Sequence, residues 1–281
     1  PELGIVIYEL PKDNKVAFIG GGGIGKVLAS HTIKISRQWQ LDEATIKPNS
    51  TVVVPVSGPM MKNDQFCGPV GMISLASITK QLSEHHNVDA IIFDIDSPGG
   101  QVDGTQTFAE AIKSSSKKTI ALVNDGMACS AAYWIGSSCD EFYVSKRTDV
   151  VGSIGVYCTL ADFKAWYEAE GLPIHEIYAP QSTEKSKDYR DAMKGEYGAV
   201  QDDLKFLADE FITAVKTNRP ALNLSKGDPF KGATYYAEQA MEIGLIDGIK
   251  SMDEILGMIK GDNQATEEST ESRAKNDNNN T

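Results

Sequence analysis

Four stretches of the chain are near-continuous apolar or β-branched runs: TVVVPVSGPM from Thr51, DAIIFDIDSP from Asp89, TIALVNDG from Thr119, and Glu141–Val144. Runs that do not alternate with polar residues suit strands covered on both faces. Helical spacing interrupts them. Met72, Leu75, Ile78 and Leu82 mark one amphipathic helix, and Val200, Leu204, Leu207, Phe211 and Val215 mark the longest. Strand–helix alternation of this kind predicts an α/β architecture of βαβ units over residues 51–260. The first fifty residues carry shorter strand-like runs, GIVIYEL, KVAFIG and HTIKIS, broken by PKDN and by four consecutive glycines. They read as a β-rich N-terminal extension over residues 1–50. The segment PIHEIY, with His175 inside it, reads as a further strand. Residues 261–281 offer no apolar cluster to bury and are expected to be a disordered polar tail.

Composition narrows the partners. With 27 basic against 39 acidic side chains the net charge is −12, which argues against a nucleic-acid-binding surface. No apolar run reaches the ~18 residues of a membrane helix and no leader opens the chain, so a cytoplasmic setting without a membrane span is expected. Cys67, Cys129, Cys139 and Cys158 show no CxxC spacing and read as reduced, mostly buried thiols. Neither a cofactor nor a metal site is expected. Gly20–Val27, GGGGIGKV, nearly matches a phosphate-binding loop, and the strand ending at Asp94 could pass for its acidic partner. Yet Val27 stands where the metal-binding hydroxyl belongs, and a glycine turn is the better reading.

The chemistry lies in four segments taken in order. Asp96-Ser97-Pro98-Gly99-Gly100 ends a strand and opens a helix, and its glycines let backbone N–H groups approach a ligand closely. Thirty residues on, Gly126-Met127-Ala128-Cys129-Ser130-Ala131-Ala132-Tyr133-Trp134 sets one hydroxyl among small residues at a predicted helix start. That position suits a nucleophile, and equally an N-cap. Val151–Val156, VGSIGV, reads as a buried strand with close-packing glycines, and Ser182–Asp188 as a polar, lysine-containing loop. A serine nucleophile needs a base. His31 lies in the extension, His85 and His86 end a helix, and His175 sits in a strand pattern, so none suits a triad. A Ser-Lys dyad remains, its lysine desolvated so that its pKa falls.

DSPGG, ACSAAYW, VGSIGV and a lysine followed by aspartate, in this order, resemble the signal peptide peptidase A family of serine peptidases, within the ClpP/crotonase superfamily. The resemblance runs from about Thr51 to Gly248. It implies a ClpP/crotonase-like spiral of βαβ units and an endopeptidase acting on extended polypeptide. By it, Ser130 is the nucleophile and Lys187 the general base, with Lys185 two residues away as the alternative. Ser153 falls where the family has a serine bonded to that lysine. Gly100 and Ala131 would supply oxyanion N–H groups, and the stretch after Gly99 and that around Gly152 to Val156 would pair with substrate backbone. Cys129 and two alanines after Ser130 depart from the cellular pattern and resemble the phage-encoded branch that matures procapsids. The resemblance also implies a homo-oligomer whose neighbouring subunits complete each groove, with capsid or scaffold proteins as partners. The alternatives are a cellular peptidase clearing signal-peptide remnants, a crotonase-type acyl-CoA enzyme, and a non-catalytic assembly protein.

Overall fold

The computed structural model describes residues 6–9, 30–32, 41, 46–66 and 68–261. The phosphate-loop-like segment Gly20–Val27, Cys67 and the tail from residue 262 therefore lie outside the described residues.

The apolar runs form the sheet that the pattern predicts. Strands β3 (Ser50–Ser57), β4 (Val88–Ser97), β5 (Lys118–Cys129), β6 (Glu141–Val144) and β9 (Gly248–Ile249) lie side by side in parallel. β1 (Val6–Glu9) joins the edge antiparallel to β3, and β2 (Ser30–Thr32) pairs with β1. The described part of the N-terminal region thus extends the main sheet. A short flap, β7 (Val150–Gly152), pairs with the end of β5, and β8 (Thr234–Tyr236) pairs antiparallel with β7.

Period-two alternation splits the strands between two cores. Ile91, Phe93 and Ile95 of β4, with Val52, Val54 and Val56 of β3, face α1 (Met72–Glu84), α2 (Thr105–Lys113) and α3 (Ala131–Ser137). Ala90, Ile92, Val53, Ile120 and Leu122 face the other way, against Met252, Ile255, Leu256 and Ile259 of a C-terminal helix over 252–261. With both faces covered, uninterrupted Val/Ile runs are the stable solution. The α/β fold class is the one expected. In α1 the spaced residues Met72, Leu75, Ile78 and Leu82 are all buried.

One local expectation fails. PIHEIY forms no strand: residues 172–179 are irregular, and almost all of 157–189 is exposed. An apolar run becomes a strand only where a neighbour supplies a ladder, and among the described residues this segment has none. The longest helix forms where its spacing predicts, as α6 (Gly198–Asn218), but of its stripe only Phe211 and Val215 are buried; Val200, Leu204 and Leu207 are half-covered. The segment from Tyr157 to Tyr197, including α4 (Lys164–Ala169) and α5 (Lys187–Ala192), is an arm rooted at residues 153–156 and at the C-terminal half of α6. It exposes Tyr157, Phe163, Trp166, Leu172, Ile174 and Ile177.

Candidate active site

Ser130 stands between β5 and α3, at the N-cap position. Its backbone has φ 54° and ψ −124°, a conformation that costs a non-glycine residue energy unless its surroundings hold it. They do so from both sides. The Ser130 N–H donates to Gly152 O at 2.9 Å, and its carbonyl accepts the Trp134 N–H at 3.0 Å. The hydroxyl makes no capping bond to the helix, so the N-cap reading is not realised and the oxygen stays available for chemistry.

The end of β4 is pressed against this elbow. A Cβ on Gly99 (φ +96°) would come within 2.6 Å of Cys129 O and 2.7 Å of Ser130 Cβ. A Cβ on Gly100 would lie 1.9 Å from Met60 O. Two backbone bonds of 2.9 Å, Met60 N–H to Gly99 O and Gln101 N–H to Met60 O, clamp the turn there. Gly99 N–H is taken by Ser97 Oγ at 3.1 Å. Gly99 therefore serves close approach, and is not an oxyanion donor.

A cavity of about 60 Å³ opens beside Ser130, lined by Gly100, Ala131, Val102, Trp134, Val156 and Phe211 among others. The structure thus brings together Ser130, Gly100 and Ala131 as expected. The sequence reading missed the cavity's apolar walls. Trp134 stood inside the quoted motif and Phe211 inside the helical stripe, and each had an adequate account as core. They stack at 4.8 Å between ring centroids and 7° between planes, which joins α3 to α6. Cys129 is buried next to the serine, and burial pushes its thiol up to about 11, so it stays protonated at neutral pH.

Lys187 departs from expectation. It begins α5 on the exposed arm, is not a lining residue of the cavity, and its ammonium pairs with Asp191. The hydrogen bond and charge of Asp191 raise its pKa, opposite to the lowering that a desolvated base requires. The physical reason is the missing second wall: among the described residues nothing packs over Lys187 to remove water. Lys185 is exposed as well. Ser153 sits at the root of the arm with φ 52°, its N–H bonded to Ala233 O at 2.7 Å. Of the cysteines, Cys129 and Cys139 are buried and free, whereas Cys158, on the arm, is exposed. Asp94, the acidic residue of the phosphate-loop reading, lies within β4. Among the described residues no helix is long and apolar enough to cross a membrane.

The family model for peptidase family S49 matches residues 111–265, more than half of the chain. The chain belongs to peptidase family S49. Within this S49 match lie Ser130, Ser153 and Lys187, while the Gly99–Gly100 turn precedes it. The chain is 23% identical over 253 residues to protease 4 of Haemophilus influenzae, covering 89% of this chain and 41% of that protein. It is 27% identical over 218 residues to capsid assembly protease C of Escherichia phage lambda, covering 75% of this chain and 49% of that one. To head-tail preconnector protein GP5 of Enterobacteria phage P21 it is 32% identical over 137 residues, 47% of this chain and 27% of that one. The chain thus spans about half the length, or less, of these relatives.

Proposed function

We propose that this S49 chain is a serine endopeptidase of phage capsid maturation, cleaving extended polypeptide with Ser130 as nucleophile and Lys187 as general base. The observation that carries the reading is the strained, doubly held Ser130 elbow against the Gly99–Gly100 turn, with its hydroxyl left uncapped beside an apolar cavity. In the reaction, neutral Lys187 takes the Ser130 proton as Oγ attacks the scissile carbonyl, and the Gly100 and Ala131 N–H groups hold the oxyanion. The lysine then protonates the leaving amine, and water releases the acyl group. Room for about four water-sized groups suits an aliphatic side chain of valine or leucine size before the cleaved bond. The capsid role is supported by similarity to a capsid assembly protease of phage lambda and a head-tail preconnector protein of phage P21.

The base needs an assembly. A protonated, solvent-facing Lys187 cannot accept a proton, and the arm that bears it displays Trp166, Leu172, Ile174 and Ile177 to water. A second copy covering this face would desolvate the lysine and complete the groove in one step. Light scattering should show an oligomer, and an active monomer would count against this account.

A fluorophosphonate probe should label Ser130 and no other serine, as read by mass spectrometry. Ser130→Ala should abolish turnover, a loss of about 10⁴-fold or more, with the fold intact. Lys187→Ala should cost nearly as much, and the rate should rise toward alkaline pH as the lysine deprotonates. Undiminished proteolysis by Ser130→Ala would overturn the mechanism. Activity retained in Lys187→Ala but lost in Lys185→Ala would move the base by two residues.

A further inference from the structure

β5 changes neighbours part-way along its length. Up to Val123 it pairs with β6, and from Met127 to Cys129 it pairs with β7. Between the pairs Ile95/Val123 and Ser97/Ala128, one residue of β4 faces four of β5, residues 124–127. The three surplus residues make a bulge, with Asp125 at φ 63°. Ser130 lies three residues past the bulge, after Ala128 and Cys129. Straightening three residues of about 3.3 Å each would carry Ser130 about 10 Å past the Gly99–Gly100 turn. An odd shift would also turn the intervening side chains to the opposite face.

A bulge strands backbone donors that the ladder no longer satisfies. Here three successive ones are met by side chains. The Asp125 N–H donates to Ser145 Oγ (3.1 Å), the Gly126 N–H to Asp149 Oδ1 (3.0 Å) and the Met127 N–H to Asp96 Oδ1 (3.3 Å). The other Asp149 oxygen accepts the Ser145 N–H (2.9 Å), the Lys146 N–H (2.8 Å) and the Ser145 hydroxyl (3.3 Å). Asp149 is 1% exposed. It immediately precedes β7, whose Gly152 carbonyl holds the Ser130 N–H. One buried carboxylate therefore ties the bulge, the end of β6 and the start of β7 into a single unit.

We infer that Asp149 is a positioning residue for the nucleophile. It fixes the β5 bulge, and so the register in which Ser130 meets Gly100, while lining no part of the cavity. The inference rests on the reading of Ser130 as nucleophile. In Asp149→Asn one carboxylate oxygen becomes an N–H donor, so it cannot serve the Gly126 N–H and the Ser145 and Lys146 N–H groups together.

The test is the rate constant for fluorophosphonate acylation per folded molecule, with kcat and KM on a peptide, in wild type, Ser130→Ala, Asp149→Asn and Asp140→Asn. Asp140 is the control, because it caps Thr119 at the far end of the same strand. Asp149→Asn should acylate about 100-fold more slowly with KM little changed, the size of effect that a displacement of about 1 Å produces. Asp140→Asn should lose thermal stability and keep the wild-type rate constant. If Asp149→Asn does not fold, Ser145→Ala replaces it. That variant removes only the hydroxyl between Asp149 and the Asp125 N–H, and it should slow acylation about tenfold at unchanged KM. A wild-type rate constant in folded Asp149→Asn, or in Ser145→Ala where that substitutes, overturns the inference while leaving the Ser130 mechanism standing. Wild type unlabelled at Ser130 removes the nucleophile, and the inference with it.

Discussion

Asp94 sits in the middle of a central strand, on the face of β4 shared with Ala90 and Ile92, flanked across the sheet by Pro55 and Leu122. Burial, and then the charge of Asp96 two residues on, raise its pKa from 3.8 to about 6. The native state therefore binds this proton more tightly than the unfolded chain does. The penalty of ionising Asp94 is absent below pH 3.8, grows as pH rises, and is complete above about pH 6. The gap between the two values corresponds to about 3 kcal/mol. Asp94→Asn keeps the shape and removes the titration. At pH 7.5 it should be more stable than wild type by about 1–3 kcal/mol, the upper figure applying if the amide is hydrogen-bonded as well as the protonated acid. At pH 4 the two should converge. Urea unfolding followed by tryptophan fluorescence, at fixed protein concentration from pH 4 to 7.5, reads the difference. An m-value of about 2–3 kcal/mol/M gives a midpoint shift of about 1 M at the upper end. A constant difference across pH, or a variant less stable than wild type at pH 7.5, would refute the reasoning.

Two further substitutions test the site's walls. Gly99→Ala should slow Ser130 acylation at least about 100-fold, because the new Cβ overlaps Cys129 O and Ser130 Cβ and the backbone is at φ +96°; a wild-type acylation rate would refute the close-approach role. Phe211→Ala should cost about 3 kcal/mol of stability and enlarge the cavity beneath Trp134, so a peptide library should show bulkier side chains accepted before the cleaved bond, and an unchanged preference would refute its part in that wall.

What the sequence determined by itself was the set of pieces that local chemistry dictates. Uninterrupted Val/Ile runs suit strands covered on both faces, and a spaced apolar stripe such as Met72 to Leu82 suits a helix lying on them. Serine among alanines, after two glycines at a strand end, marked the elbow, because only small residues let two backbones approach so closely. Three features needed the tertiary structure. The β5 bulge is invisible in TIALVNDGMACS, since it exists only as a mismatch between the lengths of β4 and β5 and is fixed by Asp149, nineteen residues beyond Ser130. Trp134 and Phe211 became walls of a cavity only when α6 was laid across α3; in the sequence one stands in the Ser130 motif and the other in a distant helical stripe. The arm misled for the converse reason. Its apolar residues carry the pattern of buried structure, but a pattern states what must be covered and not by which chain. Among the described residues nothing covers Pro173–Tyr178 or desolvates Lys187, so the strand does not form and the lysine stays paired with Asp191.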